Sequence, residues 1–588
     1  MENKVQFHHD KVKTSNAYPM PEIPRPWMKY YPEGCIDKPL PEYTIYGYLK
    51  YMRSDIPDVP AIRYFSRRFN SIEFIEKIDL FASALSQSGI KKGDYVSIIS
   101  VMIPETIFMF YALNKIGAVS NMIDPRTDTP HMKEYIDKAS SKTLIVLENV
   151  WDKVKSILDG LNLIIVLSAG DSLDIVRRTA LKLKAKLPKI PYNENRIIPC
   201  RKFIKRGKGH ISAEVPYEKD YPCVVTRTGG TTGTSKGVVL TNDSLNASVR
   251  NLECAGMRLP GEAVLNFLPV AASYGVVAGI HLTFALGGES ILVPLFKPNE
   301  FGDLVLKNKP NIVIGVPVFY ENLVNNKRAE GQDLSYIRYM ISGGDSANAG
   351  FEEKLNRFIA KRNIPYPLAQ GYGMSETSSV VSFGARDIHK DGSAGIPGAY
   401  TSIAIFEPET ENILPIGEKG EICITGPTLM KEYLDEPEET ENILKLHADG
   451  FHWIHSGDIG YIDEDGFLFI EGRIKYSVIR FDGHKSYPVQ LEQVVMKHPS
   501  VKSCCVIGVK DMDHDQGQLP LILAEPIASF TGDKNELRME LLILCSENIE
   551  ERSQPADAVI LDVLPLTGLG KIDVKKLTDE YEFFNYTK

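Results

Sequence analysis

Val224-Val225-Thr226-Arg227-Thr228-Gly229-Gly230-Thr231-Thr232-Gly233-Thr234-Ser235-Lys236-Gly237-Val238-Val239-Leu240 organises the reading of this chain. Val224 and Val225 read as the end of one strand, and Val238 to Leu240 as the next. Between them, glycines alternate with hydroxyl side chains, and Lys236 stands near the end. Glycine lets backbone N–H groups approach an anion closely. Hydroxyls add donors, and a lysine adds a compact positive charge. The composition is that of a polyphosphate cradle. It is not the Walker loop, because Lys236 is followed by Gly237 rather than by Ser or Thr. The plain alternative is a Gly/Thr-rich hairpin at the surface.

The 588 residues fit several units of roughly 150 residues. Apolar content of 43% and charged content of 24% place the chain among ordinary globular proteins. A net charge of −9 speaks against a nucleic-acid partner. No apolar run approaches the roughly 18–20 residues that span a bilayer, and the first ten residues are polar, without a signal-peptide core. The eight cysteines are scattered with no Cys-x-x-Cys, so neither a zinc site nor a disulfide framework is suggested. A cytoplasmic protein with reduced thiols is the expectation.

Up to Pro41, prolines interleave with Trp27, Tyr30 and Tyr31, which suits an extended arm packed on a body. Phe74, Ile78, Phe81 and Leu85 fall at helical spacing before Gly89. Strands are expected at Tyr95–Ile99, Val119–Ile123, Thr143–Leu147 and Leu163–Leu167. Helices are expected from Pro104 to Gly117, around Trp151 to Leu161, and from an Asn242 cap to about Ala255. Strands alternating with helices predict parallel sheets with crossover helices. Residues 177–208 hold twelve basic residues and one acid, Glu194. That is a solvated basic surface or a peripheral contact with an anionic membrane. Near residue 474 the pattern changes. About a hundred further residues carry strands near Val506, Leu521 and Val559, with a helix from Glu536 to Ile549, enough for a small separate domain.

More short motifs follow in order: Ser342-Gly343-Gly344-Asp345-Ser346, Gln370-Gly371-Tyr372-Gly373-Met374-Ser375-Glu376-Thr377, His455-Ser456-Gly457-Asp458, Glu471-Gly472-Arg473-Ile474-Lys475 and Pro565-Leu566-Thr567-Gly568-Leu569-Gly570-Lys571-Ile572. Ser346 in Gly-Asp-Ser could be read as a nucleophile, but no Gly-x-Ser-x-Gly elbow surrounds it. Together with the first loop, the set resembles the acyl-adenylate-forming enzymes: acyl-CoA synthetases, adenylation domains and luciferases. Their loop usually reads Thr-Ser-Gly-Thr-Thr-Gly-x-Pro-Lys-Gly; here Gly229 replaces the Ser and Ser235 the Pro. The resemblance covers nearly the whole chain.

The resemblance implies an α/β protein: a large N-terminal α/β region of helix-covered sheets, residues 1–474, and a small mobile α+β C-terminal domain, residues 475–588. It implies ATP, Mg2+ and coenzyme A. Thr228, Gly229, Gly230, Thr231, Thr232 and Gly233 would cradle phosphates. Gly343, Gly344, Asp345, Gly371 and Gly373 would line the nucleotide and acyl sites, with Tyr372 on adenine and Ser375 near phosphate. Glu376 would hold Mg2+, Asp458 the ribose hydroxyls, and Arg473 the ribose or phosphate. Lys236 and Lys571 would supply catalytic charge. Lys475 would be a hinge, although Tyr476 stands where an acid is usual. Gly483, in Arg480–Lys485, would permit close approach of the thiol. The partners implied are a small-molecule carboxylic acid and coenzyme A, with an acyl carrier protein as the alternative acceptor; a nucleotide-binding pseudoenzyme is the non-catalytic reading. Val270-Ala271-Ala272-Ser273-Tyr274 is small where relatives are bulky, so a roomy acyl pocket is expected. No Asp or Glu lies between Ala263 and Gly288, which disfavours amino-acid substrates.

Overall fold

The computed structural model describes residues 18–184, 187–228, 235–344, 349–386, 388–482, 484–514, 516–566, 572–581 and 584. Thr143–Leu147, Tyr95–Ile99, Val119–Ile123 and Pro222–Arg227 lie side by side in parallel, with Leu163–Leu167 and Ile197–Pro199 beyond Thr143–Leu147. Their near-continuous apolar burial is what a parallel sheet covered on both faces requires. On the opposite side Gly237–Thr241 folds back antiparallel to Pro222–Arg227, and Glu432–Tyr433 closes that edge. The glycine loop therefore joins two antiparallel strands of an otherwise parallel sheet.

A second sheet of nine strands runs from Ile396–Pro397 through Ala369–Tyr372, Tyr339–Gly343, Ile312–Gly315 and Ala263–Asn266 to the hairpin Pro60–Tyr64 and Arg67–Asn70. A third, antiparallel sheet holds Ser402–Phe406, Gly420–Thr425 and His452–Ile462, with Leu468–Arg473 paired to the last. The helix Pro104–Lys115 is buried along its whole length and packs on Ser71–Gln87, with Phe74 and Phe108 rings 6.0 Å apart. The early arm is anchored by Trp27, fully buried beside Gly466, and by Tyr31, whose hydroxyl donates to Pro397 O at 2.7 Å. Two 3-10 turns, Pro26–Tyr30 and Cys35–Asp37, interrupt its extended course.

Residues 488–581 have their own apolar clusters, around Leu491, Val506, Ile522 and Leu541 on one face and Ile507, Leu523 and Leu577 on the other. Val501–Lys510 and Gln518–Pro526 pair antiparallel, Asp557–Ile560 joins in parallel, and the helix Lys534–Asn548 covers one face. All eight cysteines are free and buried. Among the described residues, no helix is long and apolar enough to cross a membrane.

Two local expectations change. The helix expected around Trp151–Leu161 is the single turn Trp151–Val154. Ser156, Asp159 and Gly160, at a φ of +81°, turn the chain instead. The helix Asn242–Cys254 is capped by Thr241, whose side chain accepts from Ser244 N in a capping box. Asn242 instead ties two other helices to this one, since its Oδ1 accepts from Ile45 N at 3.0 Å and from Asn114 Nδ2 at 2.8 Å.

Arg53 is fully buried and donates to Ser71 Oγ and to the carbonyls of Phe284, Gly288 and Pro60 at 2.8–3.2 Å. Burial lowers its pKa to about 10. It joins the end of the helix Ile45–Met52 to the hairpin and the second sheet through one hydroxyl and three backbone carbonyls. Arg53→Met removes the donors while keeping most of the volume. It should cost about 3 kcal/mol, read as a fall in the thermal unfolding midpoint; an unchanged midpoint would show that water replaces the guanidinium.

Candidate active site

The cleft is built where the first and second sheets meet the third. Tyr372 ends the strand Ala369–Tyr372, while Asp458 and Arg473 face each other in register on two strands of the third sheet. Tyr372 donates its hydroxyl to Asp458 Oδ2 at 2.7 Å, and Arg473 Nε lies 2.9 Å from Oδ1. Asp458 is only 5% exposed. Burial pushes its carboxyl up, and the Arg473 guanidinium and the Tyr372 hydroxyl oppose that rise. Arg473 remains half exposed, its charge strengthened by Asp458.

Asp458 is aimed by its own turn. Gly457 takes a φ of +69°, a conformation glycine adopts freely. Its N–H donates to Glu421 Oε1 at 3.0 Å, and Asp458 N donates to Ser456 Oγ at 3.0 Å. Glu421 Oε2 also takes His455 Nδ1 at 2.9 Å, and His455 Nε2 meets His447 Nε2 at 2.9 Å.

Glu376 lies in the short turn Ser375–Thr377 and is 6% exposed. Its Oε1 accepts from the Tyr433 hydroxyl at 2.6 Å. Burial raises its pKa; the Tyr433 bond and the positive charges of Arg473 and Lys236 oppose it. Lys236 stands over the Tyr433 ring, 4.9 Å from the centroid, and pairs with Glu439. Ser375 Oγ donates to Arg227 O at 3.3 Å and receives Ser273 Oγ at 3.2 Å. The donors around Glu376 are carboxylate and hydroxyl oxygens, a set that suits a hard divalent cation such as Mg2+.

The neck of the glycine loop is laced shut. Thr228 N donates to Lys236 O at 3.1 Å, Lys236 N to Thr228 Oγ1 at 3.0 Å, and Ser235 Oγ to Thr228 O at 2.5 Å. Gly233-Thr234-Ser235-Lys236-Gly237 has Gly-x-Ser-x-Gly spacing, but Ser235 enters an antiparallel strand and spends its hydroxyl on this neck, so it is no nucleophile elbow. Gly373 has a strict role: a Cβ there would lie 1.5 Å from Ser379 O. A Cβ on Gly343 would press on the Tyr274 hydroxyl at 3.1 Å; Gly344 takes a φ of +80°. Gly371 offers only ordinary contacts.

Thr228, Lys236, Gly343, Gly344, Gly371, Tyr372, Gly373, Ser375, Glu376, Asp458 and Arg473 are thus placed. Gly229, Gly230, Thr231, Thr232, Gly233, Asp345, Gly483 and Lys571 lie outside the described residues. Lys475 is exposed in the one-turn 3-10 segment Ile474–Tyr476 between the third sheet and the last hundred residues. Near Gly483, Phe481 stacks on His514 at 3.5 Å, and Arg552 pairs with Asp482 at 2.6 Å. Tyr433, Glu439 and Glu421 carry no motif of their own in the sequence. Tyr433 sits in a two-residue strand, Glu432–Tyr433, too short to show a periodic signal.

The bonded neck of a hairpin rich in glycines and hydroxyls, beside buried carboxylates on α/β sheets with a small appended domain, defines a nucleotide-binding enzyme of the adenylating kind. The AMP-binding enzyme family model matches residues 54–434, and that of the AMP-binding enzyme C-terminal domain matches 490–571; the chain belongs to this family. It is 28% identical to the long-chain-fatty-acid–CoA ligase of Bacillus subtilis over 95% of this chain and 98% of that one. It is 28% identical to the probable 4-coumarate–CoA ligase 1 of Dictyostelium discoideum over 83% of this chain and 86% of that one. ATP-bound MatB from Rhodopseudomonas palustris has the same fold, with a TM-score of 0.77 at 22% identity, covering 92% of this chain and 99% of that one.

The raised pKa of Glu376 has a consequence for stability. The folded state holds the proton more tightly than the unfolded state, so stability falls as pH climbs from the ordinary 4.5 through the raised folded value. Above that window the buried charge is a cost. Glu376→Gln, which can still accept from Tyr433, should therefore unfold at a higher temperature than the unaltered protein at pH 7. The difference should shrink as the pH falls toward 4.5. A lower midpoint for the glutamine variant at pH 7 would contradict the desolvation argument.

Proposed function

We propose that this protein joins a carboxylic acid to a thiol in two steps, through an acyl-adenylate. One oxygen of the acid attacks the α-phosphorus of ATP, the P–O bond to pyrophosphate breaks, and acyl-AMP forms. The sulfur of coenzyme A then attacks the acyl carbon, AMP leaves with the bonding pair, and the thiol proton passes to solvent. The observation that carries this reading is the buried Asp458 carboxylate held between Tyr372 and Arg473, in one cleft with Glu376 and the loop neck. Family membership and the names of the curated relatives, acid–CoA ligases, support the same chemistry.

Asp458 has acceptors for the two ribose hydroxyls once Tyr372 swings its hydroxyl away to lay its ring on adenine. Thr228 and the glycines after it offer N–H groups and hydroxyls to the phosphates. Lys236, released from Glu439, adds a charge there. When bound through Glu376, Mg2+ would neutralise the charge of the phosphates. Lys571 bridges the acid and the α-phosphate, so two anions can meet. Residues 1–474 form the platform, and 475–588 swing about Lys475 between the two steps. In the arrangement described, Gln490 Nε2 donates to Glu471 Oε2 at 2.9 Å across that boundary.

The acid enters beside Ala271, Ala272 and Ser273. Phe267, Phe296, Phe301 and Phe319 cluster with each other, with Phe267 and Phe296 stacked at 4.0 Å. His281 is fully buried and its pKa is pushed down to about 3, so it is neutral. Glu289, just beyond, is bound by Arg63 and Arg68. Among the described residues, nothing in this wall pairs with a substrate ammonium, so fatty or aryl acids are preferred to amino acids.

Lys571→Ala should lower carboxylate-dependent pyrophosphate release by at least about 100-fold and spare thioester formation from supplied acyl-AMP. Lys475→Pro, which restricts φ at the pivot, should do the reverse; equal damage to both steps would sink the two-state reading. Each buried CH2 of the acid adds about 0.8 kcal/mol where the pocket accepts it, so octanoate should outrun acetate, and Ala272→Trp should invert that order. Comparable turnover of acetate and octanoate by the unaltered enzyme would refute the pocket assignment.

A further inference from the structure

The hairpin Pro60–Tyr64 and Arg67–Asn70 turns at Phe65, which holds a φ of +52°. That conformation suits glycine or asparagine and disfavours a bulky side chain. The Phe65 ring is nonetheless 58% exposed, and its aromatic contact is the edge of Tyr64 at 4.8 Å. The fold gains little from an aromatic residue at this tip. Tyr64 donates its hydroxyl to Ala169 O at 2.8 Å, which fixes the tip against the loop 169–174. That loop leads into the helix Ile175–Lys184.

The first two residues of this helix are apolar and bare: Ile175 is 69% exposed and Val176 74%. Arg177, Thr179 and Ala180 are exposed as well, and Arg178 lies back over Gly170. The surroundings are basic. Arg67 and Arg68 flank the hairpin tip, paired with Glu73 and Glu289. Between 177 and 208 the described side chains include nine cations and one acid, Glu194; Arg177, Arg196 and Arg201 are paired with Asp174, Glu194 and Asp171, and Lys189, Lys202, Lys205 and Lys208 add further positive charge.

We infer that this face seats on an anionic lipid surface, with Phe65, Ile175 and Val176 entering between headgroups and the surrounding Arg and Lys residues meeting their phosphates. Small, separate apolar prongs set among cations need no matching socket, which suits a fluid interface better than a folded partner. Cations near such a surface each contribute to attraction, and the attraction fades with salt. The inference stands apart from the proposed reaction, since it concerns residues outside the cleft.

The test is co-sedimentation of the full chain with phosphatidylcholine vesicles with and without phosphatidylglycerol, at low and high salt. Binding should require phosphatidylglycerol and weaken at high salt. Removing one rim cation, as in Arg67→Ala, should weaken it roughly fivefold. Ile175→Ser/Val176→Ser should weaken it further, with pyrophosphate release on octanoate unchanged. Phe65→Gly is the decisive variant: it should lose vesicle binding while its unfolding midpoint stays level or rises, because glycine accepts the left-handed turn. No binding to phosphatidylglycerol vesicles, or equal binding to neutral ones, would overturn the inference. So would undiminished binding by Phe65→Gly and the serine pair, or variants that lose self-association in sedimentation velocity while still binding vesicles, which would place a second copy of the chain on this face.

Discussion

A carboxylate taken out of water must be paired and hydrogen-bonded, and Asp458 meets that demand with partners from two different sheets. Arg473 is its register neighbour in the third sheet, and Tyr372 reaches it from the end of a strand in the second. The pair cannot form unless those sheets stand at the right distance. Glu421 then fixes the Gly457 turn that points Asp458 into the cleft. The cleft geometry is thus tied to the packing of whole layers rather than to any one loop.

The glycine loop obeys a second constraint. A phosphate loop that leads from a strand into a helix can use the helix N-terminus for its anion. Here the chain leaves the loop at Gly237 as an antiparallel strand rather than as a helix. In the proposed function the donors to phosphate would come from the loop itself, which fits its density of glycines and hydroxyls; its neck at Thr228, Ser235 and Lys236 is bonded across. Lys236 and Glu376 share Tyr433, one through its ring and the other through its hydroxyl. The acid and the base of the cleft therefore sit on one aromatic scaffold, and a change at either reaches the other.

Burial explains both the stability and the chemistry of the large region. Arg53 and Asn242 are polar residues in the core, and each is spent on backbone and side-chain groups from distant parts of the chain. Glu376 and Asp458 are buried with their pKa values pushed up, an arrangement that a cation or a ribose would relieve. Arg53 spends its guanidinium on protein acceptors, whereas the cleft carboxylates stand where a ligand could meet them.

Local chemistry in the sequence determined a good deal. Period and stop signals located Ser71–Gln87, Pro104–Lys115 and the parallel strands, because burial on both faces leaves long apolar runs and glycine ends. Motif residues such as Tyr372, Glu376, Asp458 and Arg473 were legible because each lies in a short stretch whose glycines serve a turn. What the sequence left open depended on contacts distant along the chain. Thr241 rather than Asn242 caps its helix because Asn242 is claimed by Ile45 and Asn114. Tyr433 and Glu439 join the cleft from a two-residue strand and a short helix that look like surface. Such pairings are set by how sheets stack and how an edge is closed, and a side chain's neighbours across layers leave no periodic trace along one chain. The residues of the site were written locally; their partners, their burial and the resulting shifts in charge were decided by tertiary packing.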